Sequence, residues 1–438
     1  MKHLAVLVLL ACLARYPFAL HYGPFESADS SGYLELARMI QAQDFAGYDA
    51  WRTPGYPLIL ALFHSNLSGL VVFQAGLGIL NSILIYGLLR FLKCRPGVAL
   101  GYGLLVAGSI NFLVFDFSVL TETLAMLLVT AIAFCGAIAA EKRSQAVRWS
   151  VALGLLASAA FVVRPQNMVF LPVIAGWMLL PSSIPFKTRG IAALCYSAIF
   201  LAAIFALLEF NARHAGARTI STTSGINFRH HALPFIEDAR AADNLGLLPE
   251  IIRLRDEYWS LSEAAGDYRA LIPSPRVPGA TTAKQTSDYY LKLSLEAFRQ
   301  RPLRYAASVL DAWTRFWRVS LVFAPEASRS GRLTRVVQTL WPATKLMWVG
   351  ISFIFLLVAV RIIWRKWRME PVLLMVLVAG TTSLMTSIGT HGDNARLAVP
   401  FLPLCGVVVI SGWKTFWAPF GPGALRSNRQ PPQETRRG

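Results

Sequence analysis

The chain carries little charge, and most of that charge is positive. Charged residues make up 15% of the 438 residues, against about 25% of charged residues in ordinary soluble domains. Together with 55% hydrophobic residues, this composition excludes a soluble globular domain and predicts an all-α polytopic membrane protein. The net charge of +18 is scattered between apolar runs. It therefore indicates contact with membrane lipids and argues against nucleic-acid binding.

Several familiar kinds of site are missing. No two of the five cysteines bracket a polar loop, so we expect no disulfide framework. The chain has no glycine-rich phosphate loop, which argues against direct use of a nucleotide, and we expect no cofactor. The adjacent His230 and His231 cannot share a helix face, and His391-Gly-Asp393 lacks the spacing of a dedicated metal site. We therefore expect no metal.

Apolar runs occupy most of the chain, and a helix needs about 20 residues to cross the hydrocarbon core. We expect about ten transmembrane helices, from runs near 4–20, 67–92, 98–115, 118–140, 149–163, 168–181, 190–210, 346–363, 371–389 and 397–417. The fifth and sixth runs are short enough to form a re-entrant pair instead. The first run continues past Cys12 to Leu20, which favours an uncleaved first helix over a cleaved signal peptide.

Lysine and arginine concentrate in alternate loops between the runs, and the intervening short loops hold few of them. The positive-inside rule then predicts a multi-pass inner-membrane protein with both termini in the cytoplasm. The same rule places five charged residues on the extracytoplasmic side: Asp29, Arg52, Asp116, Arg164 and Arg396.

The pattern divides the chain into four parts. Residues 1–210 form a transmembrane module whose first outer loop, 21–65, holds the segment of greatest chemical interest. Residues 211–340 form an extracytoplasmic domain of helices and loops. Residues 341–417 form the last transmembrane helices, and the polar tail 418–438 is expected to be disordered and cytoplasmic.

The predicted outer domain is basic, with an excess of seven basic over acidic residues between positions 213 and 345. This charge favours an anionic partner, or retention of the domain on anionic lipid. Near the end of the domain, polar and apolar residues separate onto two helical faces, which predicts an amphipathic helix lying in the membrane interface. The polar face holds Arg304, Ser308, Asp311, Arg315 and Arg318, and the apolar face holds Ala306, Leu310, Trp313, Trp317 and Leu321.

Asp29 lies in the first outer loop, where apolar residues at helical spacing predict a short helix that starts close to it. One interpretation is that Asp29 or Ser30 caps this helix by accepting bonds from backbone N–H groups. The other is that Asp29 is a general base held at the membrane surface. The two roles are compatible.

Arg52-Thr-Pro-Gly-Tyr-Pro57 follows in the same loop. Its two prolines restrict the residues before them, and Gly55 permits a tight turn, so the segment is a rigid entry to the next span. Held in this way, Arg52 is also suited to bidentate contact with a phosphate.

Further charged residues lie at the outer ends of later spans. Asp116 and Glu122 flank the start of the fourth run, and ionisable groups at that depth normally face a cavity or a partner. The alternative is a structural salt bridge, in which Arg164 is the partner of Glu122. Arg164 and Arg396 either snorkel to the interface or, with Arg52, surround one lipid phosphate.

These segments, taken in order, resemble glycosyltransferase family 39 within the GT-C class. Relatives in that family include protein O-mannosyltransferases and the transferases that add aminoarabinose to lipid A. The segments that carry the resemblance are Asp29…Gly32-Tyr33-Leu34…Ala37, Arg52-Thr-Pro-Gly-Tyr-Pro57, Ser118…Thr121-Glu122, Arg164-Pro165 and Arg396…Pro400…Pro403.

The resemblance implies an inverting glycosyltransferase that takes sugar from a polyprenyl-phosphate donor, on the extracytoplasmic side, to an envelope glycan, lipid or protein. It implies Asp29 as the catalytic acid residue of the first loop. Many relatives carry two adjacent acids there, whereas this chain has Asp29-Ser30, and Asp116 is the candidate for the second acid. The implied substrate-binding residues are Tyr33, Arg52, Tyr56, Glu122, Arg164 and Arg396.

Two other functions compete with this interpretation. A polysaccharide ligase or polymerase also has many spans and one large outer loop, but it does not need the combination from Asp29 to Pro57. A lipid-linked sugar transporter or flippase places ionisable residues near mid-membrane and often contains inverted repeats. In this chain the charges lie at the outer membrane edge, and no internal repeat is visible.

Overall fold

A computed structural model describes residues 2–64, 66–142, 145–264, 269–365, 370–391 and 394–417. Within these ranges the chain is helical, with isolated β-bridges in place of strands. The prediction of an all-α polytopic membrane protein is confirmed. The predicted disordered tail 418–438 lies outside the described residues, as does Asp393, and the division into four parts stays a prediction.

The N-terminal half contains α1 (Lys2–His21), α2 (Ala28–Ala42), α3 (Gly55–Leu62), α4 (Leu67–Phe91), α5 (Pro96–Gly108), α6 (Ile110–Asp116), α7 (Glu122–Glu141), α8 (Ala146–Val163), α9 (Phe170–Leu179) and α10 (Phe186–His214). A 3-10 helix, Pro165–Val169, joins α8 to α9. The helices α2 and α3 are too short to span a bilayer, and they carry the first-loop segment next to the spans.

The C-terminal half contains α11 (Ser224–Ala232), α12 (Leu248–Ala264), α13 (Ala283–Gln300), α14 (Pro302–Phe316), α15 (Gly331–Arg365), α16 (Pro371–Gly389), α17 (Asn394–Ala398) and α18 (Leu402–Trp417). Short 3-10 helices connect several of them, at Leu233–Ala242, Arg269–Leu271, Pro325–Ala327 and Val399–Phe401. The segment 232–298 has its own apolar core, separate from the core of the long helices.

Fewer helices are long enough to cross a membrane than the ten apolar runs predicted. Eight described helical segments qualify, or nine if α5 and α6 are one span bent by 55°. The helix α9 has 10 residues, which is about half of what a crossing needs. The bend between α5 and α6 lies at Ser109, whose ψ of 123° leaves the helical region.

The amphipathic helix α14 ends at Phe316, five residues before the predicted end. The side of α14 that faces the protein is mixed, because Ser308, Ala312 and Phe316 are buried, while Leu303 and Leu310 are 84% and 60% exposed. Leu303 and Leu310 thus lie on the exposed side of the helix, and its interfacial position stays a prediction. Two tryptophans of the predicted apolar face contact the protein, because Trp317 is buried and the Trp313 indole donates to Ser383.

Candidate active site

Two loops on the same side of the helices dock against each other and bring α2 to the start of α7. The backbone N–H of Phe25 donates to the carbonyl of Phe117 at 3.0 Å, and that of Val119 donates to the carbonyl of Phe25 at 2.8 Å. A Cβ on Gly23, where φ is +72°, would lie 2.7 Å from the Phe117 carbonyl oxygen. Only glycine permits this approach, which places Glu122 of α7 beside the first turn of α2.

Serines at the start of α2 leave the Asp29 side chain available for other contacts. The N-cap is Ser27, not Asp29 or Ser30 as one interpretation of the sequence held. The Ser30 hydroxyl accepts from the Ser27 backbone N–H at 2.9 Å and donates to the Val119 carbonyl at 2.8 Å. Because these serines satisfy the helix terminus, Asp29 is free to project toward the neighbouring arginines.

The loop that carries Arg52 is fixed at both ends. The Tyr48 hydroxyl donates to the side-chain oxygen of Asn211 at 2.8 Å and lies 3.1 Å from the Arg52 carbonyl oxygen. On the other side, α3 packs on α8 so closely that a Cβ on Gly55 would lie 2.6 Å from the Val162 backbone. The Arg52 side chain then passes close to α2, where a Cβ on Gly32 would lie 3.3 Å from it.

Five charged side chains from five separate segments meet at this point and form a continuous set of ion pairs. The Arg52 Nη2 lies 2.5 Å from Asp29 Oδ1, and Arg396 Nη2 contacts Asp29 Oδ2. Glu122 Oε1 lies 2.6 Å from Arg164 Nη2 and 3.1 Å from Arg396 Nε. Arg396 therefore joins the two carboxylates. We call these five residues the charged cluster.

The cluster has an accessible end and a buried end. The side chains of Asp29 and Arg52 are 24% and 22% exposed, whereas Glu122 is 1% exposed. Burial alone would raise the pKa of Asp29, but the guanidinium groups of Arg396 and Arg52 together outweigh it and hold that pKa at about 2. Asp29 is therefore ionised at neutral pH, at the accessible end of a site whose inner end is buried.

Two tyrosines predicted as substrate-binding residues line the same site. The Arg52 guanidinium carbon lies 4.7 Å from the centre of the Tyr33 ring, a distance typical of a cation–π contact. Tyr33 packs edge-on against Tyr56, whose hydroxyl donates to Gln74 at 2.7 Å. Gln74 in turn donates to the Ser118 carbonyl at 2.8 Å, so it ties the tyrosines to the loop before α7.

The structure does not bring Asp116 to Asp29, although the sequence made it the candidate second acid. Its carboxylate is fully buried, 2.7 Å from Arg15 Nη2 of α1, and accepts from the Thr123 hydroxyl at 2.9 Å. Because Thr123 follows Glu122 directly, the Arg15–Asp116 pair contacts the first turn of α7 and stabilises it. Asp116 therefore lies in a fully buried pair with Arg15, and its role as a second acid stays a prediction.

Sequence reasoning missed three residues that hold the site: Arg15, Gln74 and Ser27. A signal existed for Arg15, because a single arginine inside an apolar run must find a partner within the membrane. Gln74 sits in a long apolar helix as well, and a buried amide there needs hydrogen-bond partners. Nothing in the sequence alone distinguishes Ser27 from Asp29 or Ser30 as the N-cap.

The histidines considered as metal ligands lie elsewhere. His391 Nε2 lies 2.9 Å from Asp311 of α14, and His231 Nδ1 lies 2.9 Å from the Ser308 hydroxyl. Among the described residues, no group of three or more His, Cys, Asp or Glu side chains is arranged to hold a metal ion.

Comparison with known proteins gives one family. A family model described as dolichyl-phosphate-mannose-protein mannosyltransferase matches residues 56–209, about a third of the chain. The match includes Glu122 and Arg164 of the charged cluster, and it supports a membrane glycosyltransferase of the GT-C type. No curated protein and no solved structure matches the chain.

Proposed function

We propose that this chain transfers a sugar from a polyprenyl-phosphate donor to an extracytoplasmic acceptor, with Asp29 as the base and inversion at the anomeric carbon. The observation that carries the proposal is the composition of the charged cluster. Three arginines face two carboxylates there, which leaves one positive charge in a partly buried site. A single anionic ligand would balance this charge.

A phosphate suits the geometry of the arginine side chains that carry the excess positive charge. Guanidinium groups bind phosphate oxygens in bidentate fashion. Arg52 Nε and Arg164 Nη1 are buried atoms that have no hydrogen-bond partner among the residues that the structure describes. A buried donor without a hydrogen-bond partner raises the free energy of the protein. A ligand that accepts a hydrogen bond from it therefore binds more favourably. The match to a family named for a lipid-phosphate sugar donor favours a phosphodiester of this kind.

Asp29 is positioned to act as the base in this reaction. Its carboxylate is the acid at the accessible end of the cluster, so an acceptor hydroxyl or amine can approach it from outside. The acceptor oxygen or nitrogen attacks the anomeric carbon as its proton passes to Asp29. The bond from that carbon to the phosphate oxygen breaks, and the electron pair stays on the phosphate. Attack from the face opposite the leaving group inverts the carbon.

The remaining predicted residues receive supporting or binding roles. Glu122 holds Arg164 and Arg396 in place from the buried end, and Tyr33 supports the Arg52 guanidinium. Tyr56 supports Tyr33. The positive-inside rule places this site on the extracytoplasmic face, where the acceptor would be an envelope glycan, lipid or protein.

The dependence of the transfer rate on the donor tests whether Arg52 and Arg396 bind its phosphate. Arg52→Ala and Arg396→Ala, in purified protein in lipid nanodiscs, should each reduce kcat/KM for a polyprenyl-phosphate sugar by about 10- to 100-fold, the worth of a charged hydrogen bond. Arg38→Ala is the matched control, because Arg38 is exposed on α2. Unchanged donor dependence in both variants would remove these arginines from the phosphate site.

A further inference from the structure

The two arginines best placed to bind a lipid phosphate are already bound to the base. Arg52 contacts one carboxylate oxygen of Asp29 and Arg396 contacts the other. A carboxylate held by two guanidinium groups is a weak base, because its negative charge is already compensated. These two contacts therefore occupy the arginines that would bind the donor and at the same time suppress proton transfer to Asp29.

Each of these arginines keeps a second contact that does not depend on Asp29. Arg396 Nε lies 3.1 Å from Glu122, which Arg164 also holds. The Arg52 guanidinium lies against the Tyr33 ring. Both guanidinium groups can therefore leave Asp29 without leaving the charged cluster, so a change of partner needs only a small side-chain movement.

We propose that Arg52 and Arg396 form an exchangeable clamp, which holds Asp29 until a lipid phosphate binds and then transfers to that phosphate. The inference rests on the proposed function. In this scheme the donor itself activates the base, because its phosphate removes the two cations that compensate Asp29. A site occupied by acceptor alone keeps Asp29 clamped.

The charge balance of the transfer step favours the same exchange. Before the step, Asp29 and the donor phosphodiester each carry one negative charge. As Asp29 takes the acceptor proton it becomes neutral, and the bond between the anomeric carbon and the phosphate oxygen breaks to give a phosphate monoester dianion. One negative charge thus moves from Asp29 to the phosphate, and a clamp that already holds the phosphate stabilises the transition state more than the ground state.

Competition between Asp29 and phosphate for the same arginines has a measurable consequence. Asp29→Asn should abolish transfer yet bind lipid phosphate about tenfold more tightly or better, because phosphate no longer displaces a charged partner. Glu35→Gln is the matched control, since it removes one negative charge from an exposed position of the same helix. Its affinity for lipid phosphate should equal that of the wild type.

The binding experiment is calorimetry in nanodiscs with geranylgeranyl phosphate as probe and geranylgeraniol as its uncharged counterpart. Tighter phosphate binding by Asp29→Asn, and not by Glu35→Gln, supports the clamp. Equal binding by wild type and Asp29→Asn overturns the clamp and leaves the donor site standing. No phosphate binding by any of the three, or equal binding of the alcohol, overturns the donor site and the clamp with it.

Solid-state NMR of the wild type follows the exchange directly and does not depend on a variant. With labelled arginine nitrogens and aspartate carboxyl carbons, the Asp29 to guanidinium dipolar coupling should weaken as a coupling from phosphorus to guanidinium nitrogen appears. The Asp29→Asn sample identifies the Asp29 signal. Phosphorus coupling to the guanidinium nitrogens with an undiminished Asp29 coupling would contradict the exchange, while absence of any phosphorus coupling would contradict the donor site.

Discussion

Removal of Arg15 tests how the buried pair behind the site supports the fold. Arg15 and Asp116 are 5% and 0% exposed, with Arg15 Nη2 2.7 Å from the carboxylate. The pair fits tightly against α4, because a Cβ on Gly78 would lie 2.4 Å from Asp116 Oδ2. Arg15→Met leaves Asp116 with the Thr123 hydroxyl as its side-chain donor. A buried charge left without its partner costs about 3–5 kcal/mol of unfolding free energy.

An exposed ion pair supplies the matched control. Arg213 and Glu209 lie 2.8 Å apart with side chains 70% and 43% exposed, and exposed pairs of this kind add little to stability. Unfolding in mixed micelles of sodium dodecyl sulfate and dodecylmaltoside would compare Arg15→Met with Arg213→Met. The double variant Arg15→Met/Asp116→Leu should recover much of the loss, because an apolar pair leaves no uncompensated charge.

Two outcomes would refute this reasoning. One is an Arg15→Met protein as stable as the Arg213→Met control, because an exposed pair adds little to stability. The other is a double variant as unstable as the single one, which would show that packing and not charge dominates. The double variant should also retain transfer. Its inactivity in folded protein would instead favour Asp116 as the second catalytic acid.

Two further predictions concern the geometry and charge of the site. Gly55→Ala should lower kcat/KM by at least about tenfold, because its Cβ would lie 2.6 Å from the Val162 backbone. This clash would push α3 away from α8 and displace the loop that carries Arg52. Gly76→Ala is the control, because no described atom outside the neighbouring helix backbone lies within 4 Å of the added Cβ. The pKa of Asp29 is lowered from 3.8 to about 2, so its ion pairs stabilise the fold above pH 4 and that contribution is lost as the pH falls toward 2. Wild type should therefore lose its stability advantage over Asp29→Asn in that window, and a constant difference between the two unfolding free energies would contradict the pairing.

The sequence was most informative where polar residues are scarce. In an apolar chain, an arginine or acidic residue at the outer end of a span normally faces a cavity or a charged partner. For this reason Arg52, Arg164 and Arg396 were identified together, and the structure joins all three through Asp29 and Glu122. The Arg164–Glu122 partnership follows from the same reasoning and is present.

The sequence was least informative about which faces of helices meet. Hydrophobic periodicity separates the two faces of α14 but does not say which one faces the protein, and in a membrane protein the apolar face can belong to lipid. The pairing of Arg15 with Asp116 joins residues 101 positions apart, and no local pattern specifies it. Eight or nine spans are found where about ten were expected, because α5 and α6 bend at Ser109 and α9, in the short sixth run, has 10 residues.

The most direct test of the proposed chemistry is transfer by purified protein in lipid nanodiscs. A panel of radiolabelled polyprenyl-phosphate monosaccharides would be supplied with a cell-envelope extract, for wild type, Asp29→Asn and the control Glu35→Gln. Asp29 as base predicts label in a new product with wild type and Glu35→Gln but not with Asp29→Asn, and the active donor identifies the sugar. Equal turnover by Asp29→Asn, or no transfer from any donor by folded wild-type protein, would contradict it.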